Sequence, residues 1–295
     1  MKRHAKKSKL PTTLEQRNML GDRLGFAGAE AYKLLRTNLL FTLPGVQTCY
    51  TVGVTSALRG EGKSTTAVNL AYALAETEKS VLLVEADMRL PVLAKRLGAA
   101  PAPGLSNLLA GLCETEEAIQ VSFLRDNLWL IAAGDIPPNP SELLASETML
   151  AVLSQLQERF DMIILDLPPI DLVSDGLALA KVISGFVVVV RQDYSDYQSV
   201  AATMRQLSFA EAKVLGFVFT DAEHSAKDYQ YKKYSRQYGQ PYGYGGGRTR
   251  SGGAHSAGQS KHLAATPGQE TDTTRPAGPA SAEQSAESTE PAAMP

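Results

Sequence analysis

Between residues 50 and 220 the chain alternates short, continuous apolar runs with longer stretches of helical periodicity. The apolar runs cover 50–55, 81–85, 128–133, 162–166, 185–190 and 214–219. Most are unbroken rather than alternating, the pattern of strands covered on both faces of a parallel sheet. Helical spacing of apolar positions appears at 28–42, 64–77, 140–158, 173–183 and 196–211. This strand–helix rhythm predicts an α/β fold, a doubly wound and mainly parallel sheet with helices on both sides. One folded domain over 25–222 is the expectation.

The pattern stops at both ends. Residues 1–24 carry Lys2, Arg3, Lys6, Lys7 and Lys9 and read as a flexible basic arm, with weak attraction to anionic lipid as the sharper alternative. Residues 246–295 contain no aromatic side chain and are dominated by Gly, Ser, Ala, Thr and Pro. Such a segment cannot bury enough apolar surface to offset chain entropy, so disorder is expected there. Between them, 223–245 is rich in tyrosine.

Composition narrows the class. Hydrophobic residues make up 44% of the 295 and charged residues 20%, which excludes a wholly disordered chain. A net charge of -2 argues against nucleic-acid binding through bulk positive charge. Cys49 and Cys113 form no CxxC, so neither a disulfide framework nor a zinc site is expected. Their scarcity fits a reducing, cytosolic setting. No apolar run reaches the ~18 residues that cross a bilayer, and no apolar stretch follows the N-terminal charges as in a secretion signal.

Candidate chemistry begins where the first strand ends. Residues 56–65 read SALRGEGKST and run directly into a helical pattern. Gly60 and Gly62 let the backbone curl until successive N–H groups face one anion, and the helix N-terminus adds partial positive charge. Lys63 is placed to reach terminal phosphates, and the Ser64 hydroxyl to ligate Mg²⁺. Ala57 stands where the usual phosphate loop has its first glycine. A bare GxGKS also occurs as a simple tight turn; the strand–loop–helix context is what favours a nucleotide.

Nucleotide chemistry also needs acids at neighbouring strand ends to hold the metal. The run 81–85 ends in Glu85-Ala86-Asp87-Met88-Arg89, and 162–165 ends in Asp166 before Leu167-Pro168-Pro169. An acid just past a buried apolar strand is costly to desolvate unless a cation or strong donors meet it. The bland alternative for either acid is a helix cap or a surface loop charge.

These three elements resemble the Walker A, Walker A′ and Walker B motifs of the bacterial tyrosine kinases, P-loop proteins of capsule and exopolysaccharide operons. Further similar segments are EAYKLLRTNLLF (30–41), PGLSNLLAG (103–111) and AAGDIPPNPSELLAS (132–146). The resemblance spans about 27–222 and is to the stand-alone, cytoplasmic type. It implies that Gly60, Glu61, Gly62, Lys63, Ser64 and Thr65 hold ATP, and that Ser64, Glu85, Asp87 and Asp166 hold Mg²⁺. Lys63, Glu85, Asp87 and Asp166 are then the catalytic candidates. Three departures stand out. Glu85 replaces the first Walker A′ aspartate, the self-association pattern ExxRxxR reads Glu30, Lys33, Arg36, and Thr220 stands where relatives often place an Asn near the adenine.

Six of the 11 tyrosines, Tyr229, Tyr231, Tyr234, Tyr238, Tyr242 and Tyr244, fall within sixteen residues. The cluster resembles the family's autophosphorylation tail; without a kinase core it would read as a sticky low-complexity segment. The 25 residues from Phe219 to Tyr244 reach about 85 Å when fully extended, enough to enter a neighbouring subunit's active site. Between 227 and 250 there are six positive side chains and one negative. Each phosphate adds about -1.5 to -2, so full modification reverses the sign and is expected to loosen subunit contacts.

The expected reaction is in-line transfer of the ATP γ-phosphoryl group to tyrosine, with Glu85 or Asp87 accepting the hydroxyl proton. The resemblance further implies a transmembrane polysaccharide co-polymerase adaptor whose cytoplasmic tail activates the kinase. It also implies a ring-like homo-oligomer, a cognate tyrosine phosphatase, no nucleic-acid partner, and residence at the inner membrane face through the adaptor. Two rivals compete: a partition or division-type P-loop ATPase, and an ATP-binding scaffold without transfer activity. Against the first, Leu58 stands where partition ATPases carry an extra signature lysine.

Overall fold

The computed structural model describes residues 20–222, apart from 44, 46 and 123. The arm up to residue 19, the tyrosine cluster and the tail beyond lie outside the described residues.

Seven strands form one sheet in the order β3-β4-β2-β5-β1-β6-β7. They are β1 (Tyr50–Ser56), β2 (Val81–Glu85), β3 (Ile119–Val121), β4 (Leu128–Ile131), β5 (Met162–Asp166), β6 (Gly185–Arg191) and β7 (Val214–Thr220). All pairings are parallel except β3 with β4. The six apolar runs are six of these strands. The seventh, β3, is three residues long with an exposed Val121, so it carries no buried run for the pattern to register.

Alternate residues of the central strands feed two cores, one on each face. Val81 and Leu83 belong to one, Leu82 and Val84 to the other. The first is covered by α1 (Phe26–Thr42), α2 (Lys63–Ala75) and α3 (Leu93–Leu97). The second is covered by α4 (Leu105–Leu109), α6 (Pro140–Leu144), α7 (Glu147–Gln157) and α8 (Tyr197–Phe209). The remaining helix, α5 (Thr115–Ala118), leads into β3.

Three details differ from the sequence expectation. The helical pattern at 140–158 is two helices, because Ser146 ends the first and caps the second, its side chain accepting from the Met149 amide. Over 173–183 only a 3₁₀ turn forms, Asp175–Leu179, and the side chain of its first residue is held by Arg89 and Ser141. Packing also begins before residue 25: Leu20 is buried and the Gly21 amide donates to Asn69 Oδ1 at 2.9 Å.

β5 lies between β1 and β2, so the chain leaves β1, crosses the sheet face as α2 and returns one strand further out. That arrangement opens a crevice past the carboxyl ends of the strands, where α/β proteins bind ligands.

Candidate active site

β1 delivers the chain into a loop turned by two left-handed glycines, Gly60 at φ 82° and Gly62 at φ 95°. Either position strains a residue that has a Cβ. At Gly62 an added Cβ would also lie 3.2 Å from the Thr220 side chain. The chain then enters α2 at Lys63, and the loop and the first turn of α2 line an open cleft of about 160 Å³. The first amides of a helix lack partners within it and favour an anion.

The loop is fastened from behind. Glu61 is fully buried and turned inward; its carboxylate accepts from the Leu58 amide at 2.7 Å and from the Ser195 hydroxyl. Thr220 Oγ1 donates to the Glu61 carbonyl at 2.6 Å. Glu61 therefore shapes the loop from inside the protein, and its carboxylate is not in the cleft. Thr220 acts on the same loop, at the end of β7.

Lys63 Nζ donates to Asp87 Oδ2 at 2.8 Å and sits 3.4 Å from Asp166 Oδ1 and from Ser64 Oγ. Burial pulls the ammonium's pKa down, but Asp166 and Asp87 outweigh it, and the net shift is upward. Lys63 is thus charged at neutral pH. Asp166 is fully buried, and desolvation lifts its carboxyl above the usual range despite Lys63 beside it. Its Oδ2 has no hydrogen-bond partner. A buried carboxylate oxygen left unpaired costs about 1–3 kcal/mol or more, unless something binds it.

That orphaned oxygen is what a cation would relieve. Two carboxylates and a hydroxyl, Asp87, Asp166 and Ser64, are hard oxygen donors of the kind Mg²⁺ takes while keeping waters and phosphate oxygens in its shell. Among the described residues no three His, Cys, Asp or Glu side chains converge as a metal cage. The residues fit a magnesium held jointly with phosphates, without Glu85.

Glu85 corrects the expectation placed on it. It pairs in register with Asp166 across β2 and β5, yet its carboxylate faces elsewhere. One oxygen accepts from the Val92 amide and from the Leu93 amide at 2.6 Å; the other accepts from the Ala133 amide at 3.4 Å. Burial raises its pKa, partly offset by those amides. Fully buried and ligated by backbone, Glu85 does not line the cleft. Its role is to bring the chain after β2 back over the strand end.

The matched family model is the AAA domain, over residues 51–209. Tyrosine-protein kinase YwqD of Bacillus subtilis (strain 168) is 35% identical over 204 residues, which are 68% of this chain and 85% of that protein. Tyrosine-protein kinase ptk of Acinetobacter johnsonii is 32% identical over 68% of this chain, which spans only 27% of that longer protein. The kinase domain of Escherichia coli tyrosine kinase ETK superposes with a TM-score of 0.65 at 27% identity, over 76% of this chain and 86% of that domain. The chain belongs to the bacterial tyrosine kinases.

Two cleft residues of this kinase escaped the sequence reading. Arg59 and Arg96 both line the cleft with Lys63, and Arg96 Nη1 donates to Thr65 Oγ1 at 2.9 Å. No local signal marks Arg96, because its approach depends on the turn that Glu85 enforces. Arg89, the last residue of the Walker A′ element, does not line the cleft. It forks onto buried Asp175 at 2.7 and 3.0 Å, and Ser141 also donates to that carboxylate. Burial alone would raise Asp175's pKa; Arg89 and Ser141 reverse the shift and hold it low.

On α1 of the kinase, Glu30 and Lys33 pair with each other at 2.8 Å. Arg36 donates to the Ala73 carbonyl at 2.6 Å and to Glu76 at 3.3 Å, closing the C-terminal end of α2 within the same chain. Leu34 and Phe41 of the same helix are exposed.

Proposed function

We propose that this kinase transfers the γ-phosphoryl group of ATP to tyrosine hydroxyls, first to Tyr229, Tyr231, Tyr234, Tyr238, Tyr242 and Tyr244 of a neighbouring copy. The observation that carries the reading is Lys63, charged between Asp87 and Asp166 at the head of α2, with one oxygen of Asp166 unpaired. The loop amides and Lys63 hold the polyphosphate and offset the charge that spreads over the γ-oxygens in flight. Ser64, Asp87 and Asp166 would hold magnesium, which would supply Lewis-acid charge neutralisation.

A tyrosine hydroxyl has a pKa near 10 and must lose its proton as the new P–O bond forms. Of the two acids left open by the sequence, Asp87 lines the cleft and Glu85 is occupied by amides. Asp87 is therefore the proton acceptor in this reading. The leaving ADP oxygen is the other end of the in-line displacement.

The same reading places the kinase in capsule or exopolysaccharide regulation. It is recruited to the inner membrane face by a transmembrane adaptor, assembles as a homo-oligomer through the α1 surface, and is reset by a tyrosine phosphatase. The membership in the bacterial tyrosine kinases supports this. Among the described residues no helix is long and apolar enough to cross a membrane.

The test incubates the full chain with labelled ATP and Mg²⁺, with and without an adaptor tail, and includes Lys63→Met as control. Phosphotyrosine that disappears in the control and in a variant with all six tyrosines changed to Phe supports the reading. Free phosphate without phosphotyrosine would mean a partition-type ATPase. Nucleotide binding with neither product would leave a scaffold.

A further inference from the structure

Arg96 belongs to a short helix that nothing in the phosphate-loop motif includes, yet it stands in the cleft. It lies on α3, whose first residue and the one before it donate their amides to Glu85. Leu93 and Leu97 are buried in the core beneath, so the helix is fixed at its start and along its inner face. From that base the guanidinium crosses to α2 and donates one hydrogen to Thr65 Oγ1. A guanidinium has five N–H donors, and among the described residues no carboxylate lies within ion-pair distance of Arg96.

The charge balance around it points to an anion. Arg59, Lys63 and Arg96 line the cleft against one acid at its wall, Asp87, and Lys63 is already matched by Asp87 and Asp166. Among the described residues neither guanidinium is paired with an acid. Thr65 stands two residues past Lys63, on the first turn of α2. In a phosphate loop the lysine takes the terminal phosphates, while the loop and helix-start amides hold the inner ones. A cation resting on Thr65 is therefore at the inner end of the chain of phosphates.

We propose that Arg96 is a phosphate-binding residue that grips the α- and β-phosphates of the bound nucleotide from the wall opposite the glycine loop, anchored there by Thr65 and positioned by Glu85. This rests on the reading of the cleft as a nucleotide site. Arg96 then binds di- and triphosphate nucleotides alike, while Lys63 discriminates in favour of the third phosphate. A planar fork suits two phosphate oxygens in a way an ammonium does not.

The experiment titrates a fluorescent ADP and a fluorescent ATP analogue into the full chain and into Arg96→Ala, Arg96→Gln and Arg96→Lys. Arg96→Ala is expected to weaken both nucleotides about tenfold, the loss of one charge-assisted contact. Gln can still donate to Thr65 but carries no charge, so Arg96→Gln should lose nearly as much, and Lys should recover part. The melting temperature without nucleotide should stay the same in all three variants. If Arg96→Gln binds like the parent, Arg96 only braces Thr65 and the proposal is overturned. An Arg96→Ala variant within twofold of the parent for both nucleotides overturns it too. Should the parent bind neither nucleotide, the nucleotide reading itself falls, and this inference with it.

Discussion

The two walls of the cleft are built by opposite means. The glycine-loop wall, Gly60 to Thr65, is set by backbone conformation: left-handed glycines and a helix start, fastened by Glu61 and Thr220 from outside the cleft. The facing wall, Leu90 to Arg96, is set by one side chain. Glu85 reaches back from the end of β2 and gathers the Val92, Leu93 and Ala133 amides. The same contrast separates the two acids that pair in register at the strand ends. Asp166 keeps an oxygen free inside the site, whereas Glu85 has its oxygens committed to the fold. Neighbouring acids at equal height on one sheet can thus meet opposite surroundings, and the path of the returning chain decides which.

The largest effect should come from the first wall. Lys63→Met removes the ammonium that, among the described residues, is paired with both Asp87 and the buried Asp166, and leaves the two carboxylates without that counter-charge. Phosphotyrosine formation should fall by at least about a hundredfold, the scale of losing one preorganised charge contact to the reacting group. Initial rates with labelled ATP measure it. Residual activity within tenfold of the parent would break the assignment of this wall to catalysis.

The first wall was legible for a physical reason. Two glycines, a lysine and a hydroxyl at fixed spacing are demanded by backbone geometry and phosphate chemistry, both of which act locally. The buried strands were legible too, since both faces of Val81–Glu85 and Met162–Asp166 are covered. The second wall was not. Whether the Glu85 carboxylate meets a metal or a backbone depends on where residues 90–93 return, and that is tertiary information. The edge strand β3 was missed because its three residues are paired on one side only and scarcely buried.

Glu85 variants sharpen the contrast. Glu85→Ala should cost about 3 kcal/mol, because buried amides at Val92 and Leu93 lose their acceptor. For a domain of this size that is roughly a 6–12 °C drop in melting temperature. Glu85→Gln keeps an acceptor oxygen and should retain most of the stability and most of the phosphotyrosine output. A proton acceptor would behave differently: the Gln variant would be as inactive as Lys63→Met while folding normally. Thermal unfolding and kinase rates on the same two variants decide between the roles. Glu85→Asp is one methylene shorter and should fall between them in stability, since its carboxylate stops short of the returning chain.

The smallest effect has the opposite sign. Asp166 is fully buried and its carboxyl is raised above its ordinary value of 3.8 in the fold. The folded chain therefore holds this proton at pH values where the unfolded chain has released it. By linkage, this group lowers stability as pH rises from that ordinary value through the folded one, and the penalty is complete only above the folded value. Asp166→Asn removes the penalty while Asp87 still pairs with Lys63. The nucleotide-free variant should be more stable than its parent by about 1 kcal/mol, or 2–4 °C in melting temperature. The advantage should shrink as pH is lowered, because the parent regains its proton. Saturating ATP and Mg²⁺ should invert the ranking, since a ligand that needs the ionised carboxylate stabilises only the parent. Were Asp166→Asn less stable than the parent in the absence of ligand, the Asp166 carboxylate would be serving the fold just as Glu85 does. The distinction between an acid kept for chemistry and one used for architecture would then fail on this side of the sheet.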